Sequence, residues 1–146
     1  MDLRFYENIP SGLGQIFWFK SEGRDTIYKA IIFRPTGDPD TFELVLGELN
    51  PDGSIDTIMR SNNGDSDRVL FTAAKAVAFF LSEYSDSYVV IEPNTTSRAR
   101  LYRMVIDKEL DDLGEYLNIC AFDGHLFESF QRGKNYVRYV ISVRFD

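Results

Sequence analysis

The stretch NNGDSDRVLFTAAKAVAFFLSEY, residues 62–84, is where the chain changes its period. Asn62-Asn63-Gly64-Asp65 is turn chemistry that stops whatever precedes it. Asp65 is the expected N-cap, and Asp67 adds a carboxylate to the first turn, where the helix dipole favours negative charge. From Asp67 to Tyr84 the residues Val69, Leu70, Ala73, Ala74, Val77, Phe80, Leu81 and Tyr84 fall on one broad stripe at helical spacing. Phe71 and Phe79 lie off that stripe, near Arg68 and Lys75. A helix this apolar packs on a sheet with one face and offers its flank to another helix or to a partner.

Upstream the pattern is that of strands. GQIFWFKSEG (14–23) and DTIYKAIIFRPTG (25–37) are rich in β-branched and aromatic residues and are joined by Ser21-Glu22-Gly23-Arg24, a loop of hairpin length. DPDTFELVLGELN (38–50) follows, then Pro51-Asp52-Gly53-Ser54 with type I turn chemistry, then SIDTIMRS (54–61). The acidic turn lacks the alternating carboxylates and the later Glu of a calcium loop, so a hairpin turn is expected there and no metal.

Downstream, SYVVIE (87–92) has no polar alternation at its centre, as expected of a strand covered on both faces or lying centrally, and Pro93 ends it. A second helix over about 97–113 sets Leu101, Tyr102, Val105, Ile106 and Leu110 on one face and Arg100, Arg103, Asp107 and Asp111 on the other, with Gly114 as its stop. YLNICAF (116–122) and NYVRYVISVRF (135–145) are further strands. The order ββββ-α-β-α-ββ predicts an α+β fold, a mainly antiparallel sheet with both helices largely on one side. Leu70, Ala73, Val77, Leu81, Tyr102, Val105 and Ile106 are then expected to be buried together.

With 146 residues, 44% of them hydrophobic and 14% aromatic, the chain reads as one globular domain, residues 1–146, able to bury about two-thirds of its unfolded surface. Cys120 has no second cysteine to pair with, and no basic-plus-apolar leader opens the chain, so a cytoplasmic location is expected. No apolar run approaches a membrane span, and the net charge of −7 argues against binding duplex DNA by bulk electrostatics.

NNGDSDRVLFTAA, SRARLYRM about thirty residues later and the terminal FESFQRGKNYVRYVI together resemble a family of small bacterial proteins known only as a domain of unknown function. The likeness spans nearly the whole chain. It implies a single domain and carries no activity, cofactor or catalytic residue with it.

NTTSRARLYR (94–103) raises the sharpest functional question, because cations crowd a helix start that normally attracts anions. Thr95, Thr96, Ser97, Arg98, Arg100 and Arg103 form a candidate anion site, since hydroxyls, guanidinium groups and free N–H groups together favour phosphate. The competing and commoner arrangement is structural: Arg103 with Asp107 as an i,i+4 pair, and Arg98 on Glu92, Asp65 or Asp67.

His125 and Cys120 have neither the spacing nor the additional ligands of a metal site, and no third group is assignable to orient a Cys–His nucleophile. GLG at 12–14 lacks the Lys-Ser/Thr ending of a phosphate loop. Three functions remain. The first is a protein-interaction module, including self-association as a homodimer, using Phe71, Phe79 and Trp18. The second is a binder of small anions or single-stranded nucleic acid through the start of the second helix. The third is a metal-independent ribonuclease built on Arg98, Tyr102, Arg103 and His125. No catalytic residue, cofactor or metal is assigned.

Overall fold

The computed structural model describes residues 9–11, 15–56, 64–93 and 96–145, with the side chains at 9–11, 66 and 96–98 outside that description. Two helices and nine strands are formed among these residues. In chain order they are β1 (Ile9–Ser11), β2 (Ile16–Glu22), β3 (Thr26–Pro35), β4 (Thr41–Leu49), β5 (Ile55–Asp56), α1 (Ser66–Glu83), β6 (Tyr88–Ile91), α2 (Thr96–Leu113), β7 (Leu117–Phe122), β8 (Phe127–Ser129) and β9 (Arg138–Val143). The strands make one sheet in the order β1-β2-β3-β4-β6-β9-β7-β8, with β5 paired to β4.

The topology is α+β and mainly antiparallel, as the order of elements requires. Consecutive strands β1 to β4 form a meander of hairpins. α1 then carries the chain back to lay β6 parallel to β4, the one parallel ladder among the described pairs, over Thr41↔Tyr88, Phe42↔Val89 and Glu43↔Val90. Parallel neighbours need such a crossover because a tight turn can only reverse direction. Asp40 takes a positive φ of 54° just before this ladder, and its carbonyl accepts from the Tyr88 N–H at 2.8 Å. β6 and β7 both run antiparallel to β9, which lies between them, and α2 makes the second crossover.

Both helices pack on the same face of the sheet. Phe17, Phe19, Ile31, Phe33, Val89, Ile119, Ala121, Tyr139 and Ile141 from the strands share one buried cluster with Val69, Ala73, Val77, Phe80, Leu81 and Ile106 from the helices. Phe80 is its centre: fully buried, it stacks on Phe33 at 4.2 Å and 7° and meets Phe42 and Tyr84 edge-on or tilted at 5.1 and 4.9 Å. Of the residues expected to be buried together, Leu70 and Val105 form a smaller cluster with Phe71 between the two helices, and Tyr102 is half-buried.

Several local expectations change. Asp65 occupies the N-cap position but makes no side-chain cap; its carboxylate accepts from the Ser21 hydroxyl at 2.5 Å, tying the start of α1 to β2. β5 is described only at Ile55–Asp56, so the remainder of 54–61 lies outside the described residues from position 57. β6 is central in the sheet order without being covered on both faces, for Tyr88 is 49% exposed while Val89 and Ile91 are buried. The loop carrying His125 contains an additional short strand, β8. Gly114 does stop α2: its N–H bonds Leu110 O at 2.8 Å, and a Cβ there would sit 2.6 Å from the same oxygen.

Replacing the buried aromatic hub should be far more damaging than replacing its exposed neighbour on the same helix. Phe80→Ala is expected to cost about 3–5 kcal/mol of unfolding free energy, from lost transfer energy and the cavity left behind, and Phe79→Ala about 1 kcal/mol or less. Urea denaturation of both variants checks the difference.

Candidate functional site

The candidate anion site is reached from β6, whose end feeds α2. Thr95 lies outside the described residues, and Thr96, Ser97 and Arg98 are placed as backbone at the head of α2. Arg100 is exposed. Arg103 does not pair with Asp107; its guanidinium donates to Asn135 Oδ1 in the loop between β8 and β9. Two carboxylates expected as partners for Arg98 hold other groups: Glu92 accepts from Arg138 Nε at 2.5 Å and Asp65 from Ser21.

That same loop is anchored on both sides. Arg132 donates to Asp111 Oδ1 at 3.1 Å and to the Asp107 carbonyl at 3.2 Å, fastening it to α2. Lys134 lies between Asp123, at 3.0 Å, and Glu128, fastening it to the β7–β8 hairpin. Asp123 Oδ1 also accepts from the Leu126 and His125 N–H groups at 2.7 and 2.8 Å, and these bonds, with Lys134, hold its carboxyl well below the usual range. Glu128 is lowered by Lys134 and by the Tyr136 hydroxyl, which donates to it at 2.9 Å. Every group in this network has a protein partner, so its chemistry is that of a clasp.

Beneath the clasp are two polar atoms without hydrogen-bond partners among the described residues, the hydroxyl of fully buried Tyr139 and Asp107 Oδ1. Burial pushes Tyr139 up to about 12, with Asp107 adding to the shift and Arg103 opposing it. Tyr102 is in the helix core, whereas His125 sits in the exposed β7–β8 loop. Between the helices and the sheet, Leu70, Val77, Val105, Ile106, Ile119 and Ile141 line a cavity of about 30 Å³. It is apolar and has room for little more than one or two waters.

The larger feature is the sheet face turned away from the helices. Register puts Ile16, Ile32 and Val45 in one row and Trp18, Ala30 and Gly47 in the next. Across the centre the same face continues through Val90, Val140 and Cys120, then Phe122 and Phe127. A sheet with one solvated face normally alternates apolar-in and polar-out; here the outward positions are largely apolar too. Tyr28 (53%), Leu49 (39%), Ile55 (36%), Tyr88 (49%) and Phe127 (53%) are exposed on it. The Ile55 side chain reaches the place a Cβ on Gly47 would take, 2.6 Å away, so this glycine lets β5 close onto the face.

The three aromatic candidates separate accordingly. Trp18 is half-buried on this outward face. Phe79 is 45% exposed at the helix flank, edge-on to Phe17 at 5.6 Å, and therefore on the opposite side of the sheet. Phe71 corrects the expectation of an exposed ring: it is 6% exposed, packed with Leu70 and Val105, with Lys108 Nζ 5.6 Å above it. Arg68 and Lys75 mark its edge, but α2 covers it. The outward face was not legible as a whole, because its signal is spread over several strands: apolar residues at the central outward positions Ile16, Trp18, Tyr28, Ala30, Ile32 and Val45, with charged residues towards the strand ends.

Tyr139→Phe is expected to leave stability unchanged or raise it by up to about 1 kcal/mol, since it removes a buried hydroxyl with no partner among the described residues. The raised pKa means that the stability linked to this phenol is fully present below pH 10, the ordinary tyrosine value, and is lost as pH rises towards about 12. Alkaline unfolding followed by circular dichroism should shift to higher pH in the variant.

Compared with known proteins, residues 2–144 match the model of a family of unknown function, DUF6934. No curated protein and no solved structure matches the chain.

Proposed function

The chain belongs to the DUF6934 family, and we propose that it works as a protein-interaction module whose contact surface is the sheet face opposite the helices. One observation carries the reading: five large apolar side chains, Tyr28, Leu49, Ile55, Tyr88 and Phe127, are exposed on a face whose central rows, Ile16, Ile32 and Val45 and Val90, Val140 and Cys120, are also apolar. Monomeric proteins seldom leave an apolar patch of that extent in water. Trp18 belongs to this surface. Phe79, on the far side, is a separate and smaller contact.

No helix among the described residues is long and apolar enough to cross a membrane. A reducing, cytoplasmic compartment suits Cys120, a free thiol half-buried on the proposed contact face. The reading as a binder of small anions or single-stranded nucleic acid keeps one support, the exposed Arg100 in the first turns of α2. A phosphate-dependent rise in melting temperature, lost in Arg100→Ala, would favour it.

The module reading is tested by placing a photo-crosslinking residue at position 32 or 90 on the outward face, and at position 104 on α2 as a control. In cells, the outward positions are expected to give a discrete covalent adduct and the control none. Absence of any adduct at positions 32 and 90 overturns the reading.

A further inference from the structure

We infer that the partner on the outward face is a second copy of the same chain, so that two sheets stack face to face; this rests on the module reading and deepens it. The first argument is charge. The chain carries a net charge of −7, so two copies repel at long range, and a face on which they meet must add no like-charge contacts to that repulsion. The outward face supplies it. Lys20 pairs with Glu22 at 3.4 Å, Arg34 with Glu43 at 2.9 Å and Arg138 with Glu92 at 2.5 Å, each outward cation held by a carboxylate of its own chain. Such a face offers an acidic or basic partner no net charge to select it. It offers its own copy an apolar centre with neutral, internally paired charges.

The second argument is area. Eight strands stand in line. At a spacing of about 4.8 Å, and about six residues tall at about 3.3 Å each, they present a face of roughly 700 Å². Stable pairs bury about 800 Å² per partner. A twisted sheet also complements another sheet of the same twist, the geometry by which β-sandwiches stack at about 30°. A two-fold axis lying between the two sheets and running along the β4–β6 seam would bring β2, β3 and β4 of one copy over β7, β9 and β6 of the other, and closed two-fold pairs are the commonest symmetric assembly.

Sedimentation velocity of the purified chain at micromolar concentration is expected to show a dimer that persists in molar salt, because its contacts are apolar. Ile32→Lys should weaken the dimer at least about thirtyfold, as for a central contact residue. Tyr88→Lys, at an already exposed position, should weaken it with an unchanged circular dichroism spectrum, and Phe79→Lys should leave it intact. A monomer under these conditions, or a dimer indifferent to both outward variants, overturns the inference. Failure of the module reading is distinguishable: a monomer that still gives outward-face adducts with another protein removes only the second copy, whereas a monomer without adducts removes both.

Discussion

Everything in this fold hangs on how α1 is seated, and it is seated through Phe80. The ring lies flat on Phe33 and is closed in by Phe42 and Tyr84, so a single side chain couples the helix to β3 and β4 at once. Aromatic contacts of this kind add about 0.5–1.5 kcal/mol per pair beyond the burial itself. Once the ring is placed, the helical stripe sets what else goes inside: Val69, Ala73 and Val77 come down on the sheet, while Leu70 and Phe71 turn towards α2. The outward face is the other side of the same constraint. Two helices cover one side of a wide sheet, and the described residues form no second helical layer.

Polar groups inside that core show where covering was difficult. Lys29 is 3% exposed on the helix side of β3, 3.8 Å from Glu48 Oε1 across the strand pair. Ser21, also fully buried, gives its hydroxyl to Asp65. For a buried ion pair such as Lys29–Glu48, removing one partner costs about 3–5 kcal/mol, while an apolar replacement of both can be neutral. Ser21 and Asp65, 44 residues apart in the chain, tie the start of α1 to β2 by a hydroxyl-to-carboxylate hydrogen bond.

Much of the architecture was legible because it follows from period. The shift from alternation to helical spacing at residues 62–84, the stop at Gly114 and the breaks at Gly53 and Pro93 determine the order of elements without tertiary information. What escaped was decided by partners distant in sequence. Asp65 has the identity of an N-cap, yet Ser21 takes its carboxylate; Arg103 and Asp107 have the spacing of a pair, yet Asn135 takes the guanidinium. Phe71 looks exposed on an isolated helical wheel and is buried because α2 crosses its flank. For the candidate site, the arginines were visible and their commitments were not. Trp18 was legible as an aromatic with an interaction role to offer, but the face around it emerges only when register places the strands of the sheet side by side.

The three-residue parallel ladder between β4 and β6 has a consequence for how the chain folds. On one side of it, β1 to β4 are joined by short connections; on the other, β7, β8 and β9 pair among themselves. Each group can nucleate locally, but the ladder joins residues 41–43 to 88–90, closing a loop that includes all of α1. Loop-closure entropy is lost before so few pairs can compensate it. The ladder and the β6–β9 pairing, which joins residues 88–91 to 139–142, are therefore the long-range closures on which the two hairpin groups depend to become one sheet, with the Asp40 carbonyl receiving the Tyr88 N–H at the junction.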